Sequence, residues 1–464
     1  MKSRRFRIAA ICIALICFLT GCNAIGLNVE TQLIPPNSGG EQEAIRSALD
    51  AYISSHTGNG ESADYTLKYP AAGNYLSAFI TLEQVEAHTV LSPESATKQP
   101  ITEKAETVPD TAVAFYRRNS ENALVHINLL KRNADGTWRS VADVEGKGES
   151  VNRVDFGDLD NDGTPELLIG WHLYNTRDSR LAIYDLDNSL TARPFSAPYT
   201  DLVVGDITGD GADDLLLLSI MTGTRLASAQ LFSYRDNGAV ETGHVMLDSD
   251  IVSFGEYIVA ELSADVNGVF LDCYKEQNAM ITELVCWEDG KLKAPLCDQM
   301  VQLNSVTARE LPIASRDIDG DGVVEWPVTT RMPGFEDAEM SKTLWHTEWC
   351  YWDQSTKRIN TEFTGLIPAE DGYMLRLRDE WQDLPAAYNV GTRTLTLYAD
   401  MESGEWLFRL GTFPSEKKDE FPEGYTLLDE TEDRCYAVYI SEKQTNIAVE
   451  EFNYFFYRIS EEEF

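Results

Sequence analysis

From about residue 65 to about residue 365 the hydrophobic pattern is a succession of short apolar or alternating runs, each closed off by Gly, Asn, Asp or Pro. Runs such as RVDFG, LLIGWHL, RLAIYDLD, LVVG and LLLL are too short for helices, so they predict strands. Ahead of them, Ala44, Ile45, Ala48, Leu49, Tyr52 and Ile53 recur at helical spacing and predict one helix within 41–64, its apolar face on the main body. After Gly372 alternation continues in YMLRLR, RTLTLYA, EWLFRLGT and DRCYAVYIS, and Asn446 to Ile459 reads as a second helix. The pattern predicts a mainly β chain with a small C-terminal α+β domain over 371–464.

One segment repeats. Asp158-Leu-Asp160-Asn-Asp162-Gly163-Thr-Pro-Glu166 returns as Asp206-Ile-Thr208-Gly-Asp210-Gly211-Ala-Asp213-Asp214, and again as Asp317-Ile-Asp319-Gly-Asp321-Gly322-Val-Val-Glu325. The starts are 48 and 111 residues apart, so a further copy is due near residue 261, where Glu261-Leu-Ser263-Ala-Asp265-Val-Asn267-Gly268 is a decayed version. Upstream, Pro109-Asp110 followed by TAVAFY matches Pro165-Glu166 followed by LLIGWHLY, with the loop replaced by the polar segment Glu83 to Val108. A period of about 50 residues holds four short strands and their turns, the size of a propeller blade. The expectation is a degenerate β-propeller of about five to seven blades over 65–370. A solenoid or a sandwich is the other arrangement these strands allow.

Carboxylates at positions 1, 3 and 5 of a tight turn point inward together, and a glycine at position 6 permits the bend. A carbonyl at 7 and a carboxylate at 9 close a shell of oxygens suited to Ca2+, which takes about six to eight of them. The candidate ligands are Asp158, Asp160, Asp162 and Glu166; Asp206, Thr208, Asp210 and Asp214; and Asp317, Asp319, Asp321 and Glu325. Thr208 lowers the charge of the middle loop. Four carboxylates in nine residues repel one another unless a cation sits among them; a metal-free Asn/Asp/Gly hairpin turn is the plain alternative. An EF-hand is excluded, because position 12 is Ile169, Leu217 or Val328 where a bidentate Glu is needed. The loops resemble those of the FG-GAP and VCBS repeat families, the calcium loops of integrin α-subunit-like propellers, over about 65–370. That resemblance implies bound Ca2+ that stiffens the connection between blades.

The N-terminus sets the expected address. Lys2, Arg4, Arg5 and Arg7 precede an apolar run from Ile8 to Leu19, shorter than a bilayer span and typical of a secretory signal over 1–21. It ends in Leu19-Thr20-Gly21-Cys22, which resembles a bacterial lipobox. The resemblance implies acylation of Cys22, a tether over 22–40, and a protein anchored through lipid at the outer face of the cytoplasmic membrane; an ordinary cleaved signal is the alternative. The whole arrangement also resembles a group of uncharacterised lipoproteins of Firmicutes. Cleavage removes four positive charges and no negative ones, taking the net charge from −38 to −42. Such a surface repels phosphate backbones, so nucleic acid is excluded as a partner. Of the remaining cysteines, Cys273, Cys286, Cys297, Cys350 and Cys435, no pair has C-x-x-C spacing, and most are expected in the core.

No G-x-S-x-G, H-E-x-x-H or Walker loop occurs, and no catalytic residue is assigned. The densest aromatic cluster supplies Trp345, Trp349 and Trp352 as candidates for stacking on a sugar; wedging between blades is the plainer role. The expected function is a non-enzymatic binding or scaffold module for a glycan or protein at the cell surface. The alternative is an extracellular carbohydrate-active hydrolase or lyase using the propeller funnel.

Overall fold

The structure, a computed structural model, describes residues 39–56, 64–85, 88–93, 111–119, 124–174, 179–223, 225–235, 238–276, 279–417, 421–444 and 446–459. The signal segment, Cys22 and most of the tether lie outside these residues. The chain divides into two compact units, one within Met1–Gln84, Pro109–Val154 and Asn188–Leu190, the other within Val85–Val108, Asp155–Asp187 and Thr191–Phe464.

The first unit holds α1 (Gly39–His56), β1 (Tyr65–Leu67), β2 (Phe79–Thr81), β3 (Thr111–Arg118), β4 (His126–Arg132) and β5 (Trp138–Glu145). Its antiparallel sheet runs β1-β3-β4-β5, with β2 also paired to β3. Ile45, Leu49 and Ile53, the predicted stripe of α1, are buried against Phe79, Ala112, Ala114 and Leu130.

The second unit is built from five antiparallel sheets taken in chain order. The first contains β6 (Ser150–Gly157), which carries the chain over from the other unit, then β7 (Glu166–His172), β8 (Ser179–Tyr184) and β9 (Ala197–Tyr199). The second is β10 (Asp201–Gly205), β11 (Asp214–Ser219), β12 (Ser228–Arg235) and β13 (Gly238–Met246). The third is β14 (Ser253–Ser263), β15 (Val266–Tyr274), β16 (Met280–Glu288) and β17 (Lys291–Lys293). The fourth is β18 (Glu325–Arg331), β19 (Leu344–Asp353), β20 (Arg358–Pro368) and β21 (Tyr373–Arg376). The fifth comprises β22 (Ala386–Asn389), β23 (Thr394–Asp400), β24 (Glu405–Pro414), β25 (Thr426–Glu430) and β26 (Arg434–Ile440), after which β27 (Phe456–Arg458) returns to pair with β21.

Successive sheets stack face to face. On β11, Leu215 and Leu217 pack with Leu168, Leu181 and Ile183 of the sheet before. Leu216 and Leu218 pack with Val259, Val269, Leu271 and Ile281 of the sheet after. Both faces of β11 are therefore covered, which is why its sequence is a continuous apolar run. Phe270 and Leu284 meet Trp326 and Cys350 across the next interface, and Leu344, Leu366 and Leu375 meet Leu395, Phe408 and Val438 across the last.

The helix expected at 446–459 is absent. Val449–Tyr454 is a 3-10 turn that buries Phe452 against Trp381 and Phe408, and Phe456 to Arg458 form β27. Strand pairing to β21 overrides the local helical spacing. The described residues of the region from 371 onward are thus β-sheet with short 3-10 turns, and their last strand, β27, completes the preceding sheet where an α+β fold was expected. All five cysteines after Cys22 are free and buried.

Residues 88–93 run past several sheets. His88 Nε2 lies 2.7 Å from the Phe156 carbonyl oxygen at the end of β6. Leu91 donates to Val259 O at 2.9 Å and accepts from Glu261 N at 2.7 Å, bridging to β14. A Cβ at Gly322 would meet the Ser92 carbonyl oxygen at 2.4 Å, so this segment also touches the Asp317 loop.

The connection from β17 to the Asp317 loop carries a polar core. Glu283 on β16 accepts from Asp248 N at 2.9 Å and from Asn304 Nδ2 at 3.3 Å. Burial, and then the nearby Asp248 charge, push its carboxyl up to about 7 against those two hydrogen bonds. The folded chain therefore holds a proton that the unfolded chain releases near pH 4.5. Its contribution is full below that pH and is lost as pH rises through about 7. Glu283→Gln is expected to flatten the fall in melting temperature between about pH 5 and pH 8. An unchanged slope would assign that fall to other groups.

Candidate functional site

The three loops fold to one scheme. In the first, Asp158 accepts the N–H groups of Asp162 at 3.1 Å and Gly163 at 2.9 Å, Asp162 accepts that of Thr164 at 2.8 Å, and Glu166 that of Leu159 at 2.8 Å. Asp317 accepts from Asp321 at 3.0 Å and Gly322 at 2.9 Å, Asp321 from Val323 at 2.8 Å, and Glu325 from Ile318 at 3.0 Å. The Asp206 loop repeats the pattern through Asp210, Gly211, Ala212 and Ile207. Gly163, Gly211 and Gly322 have φ of 85°, 90° and 87°, the left-handed bend that the glycine at position 6 serves.

Two loops join the first and second strands of their sheets, β6 to β7 and β10 to β11. The third follows a stretch without regular secondary structure and is tied to β18 by a bridge between Arg316 and Glu325. The decayed copy is a tight turn between β14 and β15.

Asp158, Asp160 and Glu166 each bring an oxygen within 4.8 Å of the others, as do Asp317, Asp319 and Glu325, so both clusters are able to hold a metal ion. Asp162 and Asp321 lie outside these clusters. The Asp206 loop forms none among the described residues; Asp214 instead accepts from Ser233 Oγ at 2.6 Å.

Electrostatics separates the two clusters. Burial, joined by the charges of Asp319, Asp321 and Asp317, pushes Glu325 up to about 8. Among the described residues no Lys, Arg or His forms an ion pair with the carboxylates of this loop, and the nearest cationic influence on it is the charge of Arg376 on Asp319. A hard dication fits that donor set, since it supplies the charge the carboxylates lack. Glu166 is pushed by burial to about 7, with the Arg193 charge pulling the other way. Arg193 Nη2 sits 2.9 Å from Asp160 Oδ2 and 2.9 Å from Glu166 Oε1. No sequence signal marked Arg193, which lies outside the repeat.

A groove of about 580 Å³ opens between the third and fourth sheets. Glu261 and Asp265 line one wall, Tyr351 and Trp352 another, and Val323 and Val324 of the Asp317 loop also border it. The half-buried Trp352 donates its indole N–H to Gln354 Oε1 at 2.8 Å, and Gln354 Nε2 donates to Glu288 at 2.9 Å. Lys293 and Lys357 hold Glu288 below its usual range. Glu261 and Asp265 form no ion pair among the described residues. Of the three tryptophans expected to stack on a ligand, Trp345 and Trp349 are fully buried, their indole N–H groups spent on the Met340 carbonyl oxygen and Met374 Sδ. They pack against Phe363 and Ile367 of their own sheet and against Leu311 and Ile313 of the connection ahead of it; only Trp352 borders the groove.

No protein-family model and no curated protein matches the chain. Solved structures similar to it include an exotype rhamnogalacturonan lyase at 11% identity, covering 70% of this chain and 82% of that one with a TM-score of 0.30. A rhamnogalacturonan lyase of Bacillus licheniformis is 13% identical, with 73% and 74% covered and a TM-score of 0.31. An exo-beta-1,3-galactanase of Phanerochaete chrysosporium is 9% identical, with 78% and 81% covered and a TM-score of 0.25. These neighbours are carbohydrate-active enzymes, which runs against the expectation of a non-enzymatic module.

Proposed function

We propose that the chain is a carbohydrate-active protein, its sheets arranged as an FG-GAP-like propeller stiffened by Ca2+ and anchored through Cys22 at the outer face of the cytoplasmic membrane. The observation that carries this reading is the groove, which sets an indole, a phenol and carboxylates in one cleft beside a cation loop. An aromatic face stacks on a sugar ring, and a carboxylate serves as general acid or base in glycosidic cleavage. Glu261 and Asp265 are the candidates for that proton transfer, while Glu288 is engaged by its lysines and by Gln354. The Asp317 loop holds the border of the groove through Val323 and Val324, so the role of the ion is to fix its shape.

The test is incubation of the soluble chain with neutral and acidic polysaccharides, followed by assay for new reducing ends and unsaturated products. Glu261→Gln is expected to lower the rate by about 100-fold or more, and Trp352→Ala to weaken glycan binding. Product formation at the same rate in Glu261→Gln would remove that carboxylate from the chemistry; no binding or cleavage of any glycan would end the carbohydrate reading. Cys22→Ala is expected to move the chain from the membrane to the soluble fraction, and persistence at the membrane would overturn the anchor.

A further inference from the structure

We infer that Arg193 is a built-in cation for the first acidic loop, so that the Asp158 and Asp317 loops, which carry the same four carboxylates at the same positions, are neutralised by different means and the chain takes up one tight divalent ion rather than two. The inference rests on the cation reading of the Asp317 loop.

The Arg193 guanidinium lies on the oxygens a metal would need. Nη2 is 2.9 Å from both Asp160 Oδ2 and Glu166 Oε1, which belong to two of the three residues of that cluster. Its Nε pairs with Asp185, and the guanidinium carbon lies 4.2 Å over the Tyr234 ring. The backbone is fixed too: Arg193 N donates to Ile183 O at 2.9 Å, at the end of β8, and Asp185 N donates to Thr191 O at 2.9 Å. With a side chain only 11% exposed, Arg193 is a built part of the loop rather than a passing surface contact.

A guanidinium and a metal exclude each other here. Calcium needs oxygens at about 2.3–2.6 Å on all sides, whereas the N–H groups of Arg193 occupy the near side of Asp160 and Glu166. Arginine stays protonated throughout the useful pH range and is not removed by a chelator, so this loop keeps its counter-charge under conditions that strip the other. At the Asp317 loop no arginine among the described residues forms an ion pair with the equivalent carboxylates; Arg376 acts on Asp319 only through its more distant charge.

The test counts Ca2+ bound to the chelator-treated chain by equilibrium dialysis. The wild type is expected to take one tight ion, Arg193→Gln two, and Asp319→Asn none. Two tight ions in the wild type, or still one in a folded Arg193→Gln, would overturn the assignment. No ion in the wild type together with one in Arg193→Gln would sink the cation reading of the Asp317 loop while sustaining the role of Arg193. Hydrogen exchange on the wild type keeps the matter decidable even where Arg193→Gln fails to fold. A chelator is expected to expose the Ile318 and Gly322 amides and leave those of Leu159 and Gly163 protected; equal loss in both loops would refute the inference.

Discussion

Replacing Arg309 with Met is expected to destabilise the second unit by about 3–5 kcal/mol, because it strands a buried carboxylate. Arg309 is fully buried, with Nη2 2.8 Å from Asp272 Oδ1, Nη1 2.9 Å from Thr282 Oγ1 and Nε 2.8 Å from the Ile313 carbonyl oxygen. Asp272 in turn accepts from Ser315 N at 2.7 Å and Ser315 Oγ at 2.8 Å, two residues before Asp317. The variant leaves both Asp272 and the Ile313 carbonyl short of a partner. Arg309→Lys is expected to recover little, since one ammonium cannot reach three acceptors in the directions a planar fork does. Combining Arg309→Met with Asp272→Leu should restore much of the loss, as the unpaired charge is removed. Urea unfolding measures all three, and a loss under about 1 kcal/mol in the single variant would show that the pair is not desolvated.

Calcium is the second large effect. Millimolar Ca2+ added to chelated protein is expected to stabilise it by about 2.7 kcal/mol at 100 times the dissociation constant, a rise of several degrees in melting temperature. Asp319→Asn should remove most of that rise, since it deletes a ligand charge and spares the hydrogen bonds by which Asp317 and Asp321 hold the turn. An equal rise in this variant would take the ion out of the loop.

The pattern of short runs was enough to foresee a mainly β chain, and the D-x-D-x-D-G spacing enough to foresee tight turns bent at the glycine of position 6. Both are local: a residue and the amide four or five positions on. Arg193 and Arg309 were illegible because their partners lie 27 and 37 residues away, with nothing periodic to mark them. The density of aromatic residues made Trp345, Trp349 and Trp352 candidates for stacking on a sugar. Leu311 and Ile313, far from β19 in sequence, cover Trp345 and Trp349, and of the three only Trp352, near the strand's end, reaches a groove. At Asn446 to Ile459, apolar residues at helical spacing were drawn into a strand and a 3-10 turn by the edge of β21.

The contacts of residues 88–93 also bear on how the chain acquires its fold. This segment is made before every sheet of the second unit, yet its first partner, Phe156, comes 68 residues later and its last, Gly322, later still. Contacts so distant in sequence close slowly, because loop entropy is lost before they form. Until they do, the edge of β14 that pairs with Leu91 is an open template for another strand. A chain synthesised from its N-terminus therefore carries this early brace unengaged while the sheets it ties together are still being made.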